Sequence, residues 1–375
     1  MNKKVLIVAA SIGSGHMQAA KAIGDEFLRK DPGVSINIID FMDQESSLGH
    51  LIKEIYLNMI DYVPNAYDLL YRYSQETRYG SNAKSLLALI MKRRMRKLYQ
   101  KYQPDLIVFT HPFPCCAAGY LKANGQLAKP LAAVITDFSF HQMWLHSAID
   151  SYFVANNEIK EELVHNGIAA NCIHVTGIPI AAKFAEAINP VLRRIPEIPT
   201  ILIMGGGLGL GAVEEAVINL LQAERQLKII VLTGKNNNLL KKILDLRPDN
   251  FHQVIGIGYT ERVHEIMSTA TFLITKPGGL TCSEALAMNL PMLLLKPLPG
   301  QEEENADYLV HQGVALRIGN VSSIAGITDS LLAEQGILNL MRQRAQKIKK
   351  VDAAGTVTNI LMENLASMSA FTPAM

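Results

Sequence analysis

The chain has few cysteines, few aromatic residues and little net charge, and each shortage removes a class of protein. Its four cysteines (Cys115, Cys116, Cys172 and Cys282) show no CxxC spacing. That excludes a disulfide scaffold or a zinc site and fits buried thiols in a reducing compartment. A net charge of +2 argues against a whole-protein nucleic-acid binder, so no nucleic-acid partner is expected. No apolar stretch approaches the roughly 18 residues that a spanning helix requires. No DxD occurs, and the His and Asp residues lack metal-ligand spacing, so neither a metal nor any other cofactor is expected. Low-complexity segments and short repeats are missing too.

What is present is aliphatic. Aromatics make up 6% of the 375 residues against 49% hydrophobic residues in all, enough for two aliphatic cores. Lys3 and Lys4 before VLIVAA imitate a signal peptide, but the run is short and leads into SIGSGH and an amphipathic segment. A first β-strand is the better reading. The expected location is cytoplasmic, or peripheral on the inner face of the cell membrane.

The chain reads twice as alternating strand and helix. KVLIVAA, SINIID, DLIVFT, LAAVIT and SYFVAN are short continuous apolar runs of the buried parallel-strand type. TILIMGGG, KIIVLTG, QVIGIG, TFLITKPGG and PMLLLKP repeat the scheme in the second half. The pattern predicts α/β architecture with two Rossmann-like, doubly wound domains. Pro179, Pro190, Pro196 and Pro199 mark the boundary. The expected division is 1–180, a linker over 181–199, and 200–375 including the terminal helix. Ligands bind outside the carboxyl ends of such strands, so two facing sheets would hold the site in a cleft.

The most specific stretch is TKPGGLTCSEALA, Thr275 to Ala287. A strand ends at Thr275, Pro277-Gly278-Gly279 turn, and a helix starts near Leu280. Free N–H groups at that start suit a diphosphate, and Glu284 one turn on could accept both hydrogens of a ribose diol. The alternative is an ordinary strand–loop–helix connection with a solvated Glu. In KPLPGQEEENADYL, Gln301 and Glu302 sit at a loop tip where amide and carboxylate could read sugar hydroxyls, whereas Glu303 and Glu304 are ordinary first-turn acids. GGGLGLG does not spell GxGxxG, but Gly206 and Gly207 suit a loop touching a donor. Gly258 and Tyr259 in GIGYTERVHEIM offer groups for a base edge, or form ordinary loop and helix.

In the first half, SIGSGHMQAAKAI sets His16 at a helix start. A helix N-terminus disfavours imidazolium, so His16 is either a neutral base or a capping and packing histidine. ITDFSFHQMWLH places Asp137 after another strand, where it either orients an acceptor or base or caps a helix. Trp144 there reads as structural. Residues 78–101 carry eight Lys/Arg and no Asp/Glu. Their centre, LLALIMKRRMRK, joins an apolar hexamer to Lys92, Arg93, Arg94, Arg96 and Lys97 and reads as a membrane-docking basic helix on an anionic surface, or else as a solvated helix face.

Taken in order, IGSGH, TDFSFHQMWLH, the GIP at Gly177–Pro179, ITKPGGLTCSEA and KPLPGQEEENA resemble the monogalactosyldiacylglycerol synthase family, which includes bacterial processive diacylglycerol glucosyltransferases. The resemblance covers nearly the whole chain. It implies a GT-B fold, a UDP-sugar on the C-terminal domain as co-substrate, and a lipid acceptor, diacylglycerol, on the N-terminal one. It also implies a base role for His16, ribose contact for Glu284, phosphate contacts for Gly278, Gly279, Leu280 and Thr281, and sugar contacts for Gln301 and Glu302. TDFSFHQMWLH looks closer to the bacterial glucosyl enzymes than to the plant galactosyl ones, which favours UDP-glucose. The expected reaction is one inverting displacement in which neutral His16 deprotonates the acceptor. Two rivals share the fold: an N-acetylglucosaminyl transferase acting on a polyprenyl-linked acceptor, and a UDP-sugar 2-epimerase.

Overall fold

The computed structural model describes residues 3–11, 13–43, 91–186, 195–207, 209, 212–246 and 251–370. The chain divides into two compact units. One comprises Met1–Ala182, Pro299–Gln301 and Asp352–Met375; the other comprises Lys183–Leu298 and Glu302–Val351.

The first unit holds six strands: β1 (Lys4–Ala9), β2 (Ser35–Asp40), β3 (Leu106–Phe109), β4 (Leu131–Val134), β5 (Ser151–Val154) and β6 (Ile173–Val175). They pair in parallel in the order β2-β1-β3-β4-β5-β6. The second holds β7 (Thr200–Met204), β8 (Lys228–Gly234), β9 (Gln253–Gly258), β10 (Phe272–Thr275), β11 (Met292–Leu294) and β12 (Ala315–Arg317). These are parallel in the order β12-β11-β10-β7-β8-β9. All ten apolar runs read as strands are strands. The two strands without such a signal, β6 and β12, are three residues long and only partly buried, so they carry no continuous apolar run.

Sequence and packing agree closely in the first helix, Gly15–Lys30. Ala20, Ile23 and Phe27 recur at helical spacing and lie in the core beside Val5, Ile7 and Val108. The terminal helix, Ala353–Ala370, joins the same core. The expected division gave residues 200–375 to the second domain, and here the structure differs. Val357, Leu361 and Leu365 form one stripe four residues apart that packs with Ile23 and Phe27. Lys30 Nζ reinforces the contact, donating to the Gly355 carbonyl at 2.7 Å and to Asn359 Oδ1 at 2.6 Å. The expected linker over 181–199 contains a short helix, Lys183–Glu186, while residues 187–194 lie outside the described residues.

Both sheets reverse their strand order beside their first strand, between β1 and β3 and between β7 and β10. Such reversals open a crevice at the carboxyl ends, because the connections leave in opposite directions. The segments that follow β1, β7 and β10 carry His16, Gly206, Gly207, Gly278, Gly279, Leu280, Thr281 and Glu284.

Candidate functional site

In the first unit the chain leaves β1 and enters the helix Gly15–Lys30 at the reversal, which sets His16 beside the end of β3. Its Nδ1 lies 2.8 Å from the Thr110 carbonyl and 2.8 Å from Thr136 Oγ1. A carbonyl only accepts, so Nδ1 carries the proton and Nε2 is left with a lone pair. Thr110 Oγ1 in turn donates to the His16 carbonyl at 2.9 Å, fixing the backbone on both sides. Burial pushes the His16 pKa below the ordinary histidine value; the Asp137 carboxylate and the Thr110 carbonyl pull it back up. The direction matches the sequence expectation, but desolvation is the main cause. The ring is neutral, and its free nitrogen can accept a proton.

Asp137 follows β4 and is half-buried near His16. It is not the cap of the turn that follows it. The short 3₁₀ turn Gln142–Trp144 is capped by His141, whose Nδ1 accepts from the Met143 N–H at 3.1 Å. Trp144 is 1% exposed and its carbonyl accepts from the Tyr152 hydroxyl at 3.0 Å, the structural role expected of it. His146 Nδ1 accepts from the Ala148 N–H. The two histidines of this segment therefore brace its backbone.

In the second unit, β10 ends at Thr275, whose Oγ1 donates to the Met204 carbonyl at 2.9 Å and ties the ends of β10 and β7 together. The helix Gly279–Ala287 follows with Gly278 at its N-cap and no side-chain cap. Gly279, Leu280 and Thr281 supply its first N–H groups, which have no partner within the helix. A Cβ on Gly278 would meet nothing within 4 Å, so open space lies over this end. Gly206, in the loop after β7, has φ +72°, and a Cβ there would come 3.3 Å from Lys276 Cε. Gly207 accepts from the Lys235 N–H at 3.1 Å, holding that loop against the end of β8.

Glu284 is only partly exposed, neither a freely solvated helix acid nor a fully enclosed one. Burial pushes its carboxyl up to about 8, with the Lys183 ammonium opposing the shift. Glu302 is already engaged: Oε1 pairs with Lys276 Nζ at 2.6 Å, and Oε2 accepts from the Leu298 N–H at 3.0 Å. Asn305, fully buried, donates to the Pro277 carbonyl at 3.1 Å and fastens the helix Gln301–His311 to the glycine turn. Gln301 opens that helix and is half-buried. Gly258 and Tyr259 stand apart at the end of edge strand β9, two strands beyond β7; Tyr259 is 57% exposed, with Lys235 Nζ 5.9 Å from its ring centre.

The basic segment is helical over 91–102, and the structure revises how its cations are used. Met91 and Met95 point into the core, so this part of the helix has no apolar face to insert. Lys92 lies over the Tyr120 ring, Arg94 lies over Phe41 and donates to the Asp40 carbonyl at 3.2 Å, and Arg96 donates to Gln126. Arg93 and Lys97 remain exposed. The expected apolar residues 86–90 lie outside the described residues. Among the described residues no helix is long and apolar enough to cross a membrane.

Sequence reasoning passed over Thr110, His111, Thr136 and Lys276. The two available signals were a Thr-His-Pro at the end of a strand and a lysine directly before Pro-Gly-Gly.

Residues 16–180 match the family described as monogalactosyldiacylglycerol (MGDG) synthase, and residues 200–357 match the glycosyltransferase family 28 C-terminal domain. A processive diacylglycerol beta-glucosyltransferase of Bacillus cereus (strain B4264) is 34% identical over 372 residues, 97% of this chain and 95% of that one. The protein of the same name from Bacillus subtilis (strain 168) is 30% identical over 98% of this chain and 97% of its own. Among solved structures, Acinetobacter baumannii MurG superposes with TM-score 0.62 at 17% identity, covering 96% of this chain and 99% of that one. Staphylococcus aureus MnaA with UDP gives TM-score 0.62 at 13% identity over 97% of each chain. At such identity these two bear on the fold alone, which is GT-B. With full-length relatives above 30% identity and both halves matched, the chain belongs to the monogalactosyldiacylglycerol synthase and processive diacylglycerol glucosyltransferase family of glycosyltransferases.

Proposed function

We propose that the protein transfers a hexose, glucose in the first place, from a UDP-sugar to the free hydroxyl of diacylglycerol with inversion at the anomeric carbon. The observation that carries this reading is the His16 tautomer. With Nδ1–H committed to Thr110, Nε2 is a neutral base in the unit assigned to the acceptor. On the donor side, the open helix start at Gly278–Thr281 is suited to the diphosphate, and a leaving UDP is stabilised there as charge builds on it. Glu284 is the group assigned to the ribose. Lys276 holds Glu302 in one orientation, and that carboxylate, with Gln301, is assigned to the sugar hydroxyls. Gly206 and Gly207 let the backbone approach the donor, and Gly258 and Tyr259 are assigned to the base. Incubation with UDP-glucose or UDP-galactose and diacylglycerol vesicles, followed by mass and proton NMR analysis of the lipids, tests the reading. A β-hexosyl diacylglycerol is the expected product. Transfer only to a polyprenyl-linked acceptor, or epimerised UDP-sugar without lipid product, overturns it.

The protein is further proposed to sit on an anionic cytoplasmic leaflet, held by charge from the helix over 91–102. Arg93 and Lys97 are exposed cations of this helix, so Arg93→Glu with Lys97→Glu is the informative variant; Arg94 and Arg96 are tied into the fold. Each cation near such a surface contributes about 1 kcal/mol, so reversing two weakens vesicle binding by about 30-fold or more at low salt. The difference shrinks as the Debye length falls to ~3 Å at 1 M. Co-sedimentation with anionic and neutral vesicles reads both effects, and equal binding of variant and parent to anionic vesicles removes this helix from the membrane contact.

A further inference from the structure

His111 follows Thr110 just past the end of β3, one residue beyond the carbonyl that fixes His16, and its ring meets the His16 ring edge-on with centres 4.6 Å apart. It is 5% exposed. Pro112, at the start of the helix Pro112–Ala123, has no N–H, so the first N–H of that helix open to capping is that of Phe113. The Phe113 N–H donates to His111 Nδ1 at 3.2 Å. An N–H only donates, so Nδ1 of His111 is the acceptor and its proton resides on Nε2. The neighbouring rings are thus locked by backbone groups into opposite tautomers. His16 offers a lone pair on Nε2, and His111 offers an N–H on Nε2.

We propose that His111 is a second catalytic residue of the transfer, donating its Nε2–H to the acceptor hydroxyl oxygen whose proton His16 removes. The inference rests on the reading of His16 as the base. A hydroxyl oxygen has one hydrogen and two lone pairs. The hydrogen goes to His16 Nε2, one lone pair accepts from His111, and the other is left pointing at the anomeric carbon. Two fixed hydrogen bonds therefore define the direction of attack, which is where orientation lowers a barrier. As the oxygen–carbon bond forms, the bond from the anomeric carbon to the diphosphate oxygen breaks and its electron pair leaves on UDP. The acceptor's proton ends on His16 Nε2 and passes to water afterwards. His111 keeps its proton throughout, because a neutral imidazole N–H is a very weak acid, and it gains no second one while Phe113 holds its lone pair. Burial, and the neighbouring His16, hold its pKa well below the ordinary value, so it stays neutral beside a protonated His16.

Two substitutions separate this role from a packing role. His111→Asn retains an oxygen for the Phe113 cap but has no donor at the Nε2 position. His111→Gln places an amide N–H near that position. At a pH on the plateau of the rate profile, with diacylglycerol in mixed micelles, His111→Asn lowers kcat about tenfold to a hundredfold, the range for losing one hydrogen bond to a reacting group. KM for the UDP-hexose and the thermal unfolding midpoint stay near the parent values, and His111→Gln restores most of the rate. His111→Asn at the parental rate, a loss confined to the acid limb, or a Gln variant as slow as the Asn variant overturns the proposal. His16→Ala is assayed alongside. Full activity there removes the base on which the proposal rests, whereas an inactive His16→Ala with a fully active His111→Asn removes His111 alone.

Discussion

His16→Ala slows hexosyl transfer by about 10²–10⁴-fold, the usual cost of losing a general base, and leaves UDP affinity nearly unchanged. The expectation follows from the geometry of one ring. Thr110 and Thr136 occupy the space around Nδ1 at 2.8 Å, so the proton lies there and the base is Nε2. Removal of the imidazole leaves β1, β3 and their packing in place, because His16 is not one of the residues that form the core of the first unit. The nucleotide contacts are assigned to the second unit, so calorimetry with UDP reports an intact protein. The parental rate carries a pH signature as well. The pKa of His16 is lowered, so the base stays unprotonated to below the ordinary histidine value of 6.5, and the acid limb of kcat, read at saturating UDP-hexose, falls below that pH. Initial rates from pH 5 to 8 measure it. Parental turnover in the alanine variant transfers the base role to Asp137, the carboxylate nearest in charge to this ring.

The affinity for UDP-glucose rises with pH up to about 8 and then levels. In the free protein burial pushes the Glu284 carboxyl up to about 8, so at pH 6 it is nearly all protonated. A ribose diol donating both hydrogens requires the carboxylate, and binding below that value releases a proton. By linkage the affinity gains up to about tenfold for each pH unit between 6 and 8. A UDP-hexose is the right probe, since its diphosphate diester has no proton of its own to lose in this range. Glu284→Gln removes the titrating group. Its affinity is flat with pH and about 5–150-fold weaker than the parent at pH 8.5, equivalent to about 1–3 kcal/mol for a charge-assisted hydrogen bond. Calorimetry in two buffers of different ionisation enthalpy counts the released protons directly. A Gln variant that keeps the slope places the titration elsewhere and removes Glu284 from the ribose.

Much of the local structure around these groups is written in short stretches of sequence. IGSGH marks a strand end, a turn and a helix start in consecutive residues, and TKPGGLTCSEA does the same, because glycine and proline act on their own backbone and the first N–H groups of a helix are necessarily unpaired. The ten apolar runs are strands for an equally local reason: buried parallel strands are apolar on both faces. Cations and carboxylates are less legible. LLALIMKRRMRK read as one amphipathic surface, yet the side of Met91 and Met95 is taken up by the core, and Arg94 and Arg96 are held by Asp40 and Gln126. Which face of a helix is already occupied depends on partners distant in the chain.

The sequence by itself determined the two-sheet α/β plan, the family, the positions of His16 at a helix start and of Glu284 one turn into a helix, and the turns that open those helices. These are consequences of neighbours within a few residues and of motif order along the chain. Only the tertiary structure decided the protonation states and the company that these residues keep. The strand order β2-β1-β3-β4 brings Thr110, His111 and Thr136 to His16 across separations of about a hundred residues, and so sets its tautomer. The same long-range packing returns the terminal helix to the first unit, raises the Glu284 carboxyl and pairs Lys276 with Glu302. Burial and hydrogen-bond partners are properties of the assembled sheet ends, where segments remote in sequence meet, and no window of sequence contains them.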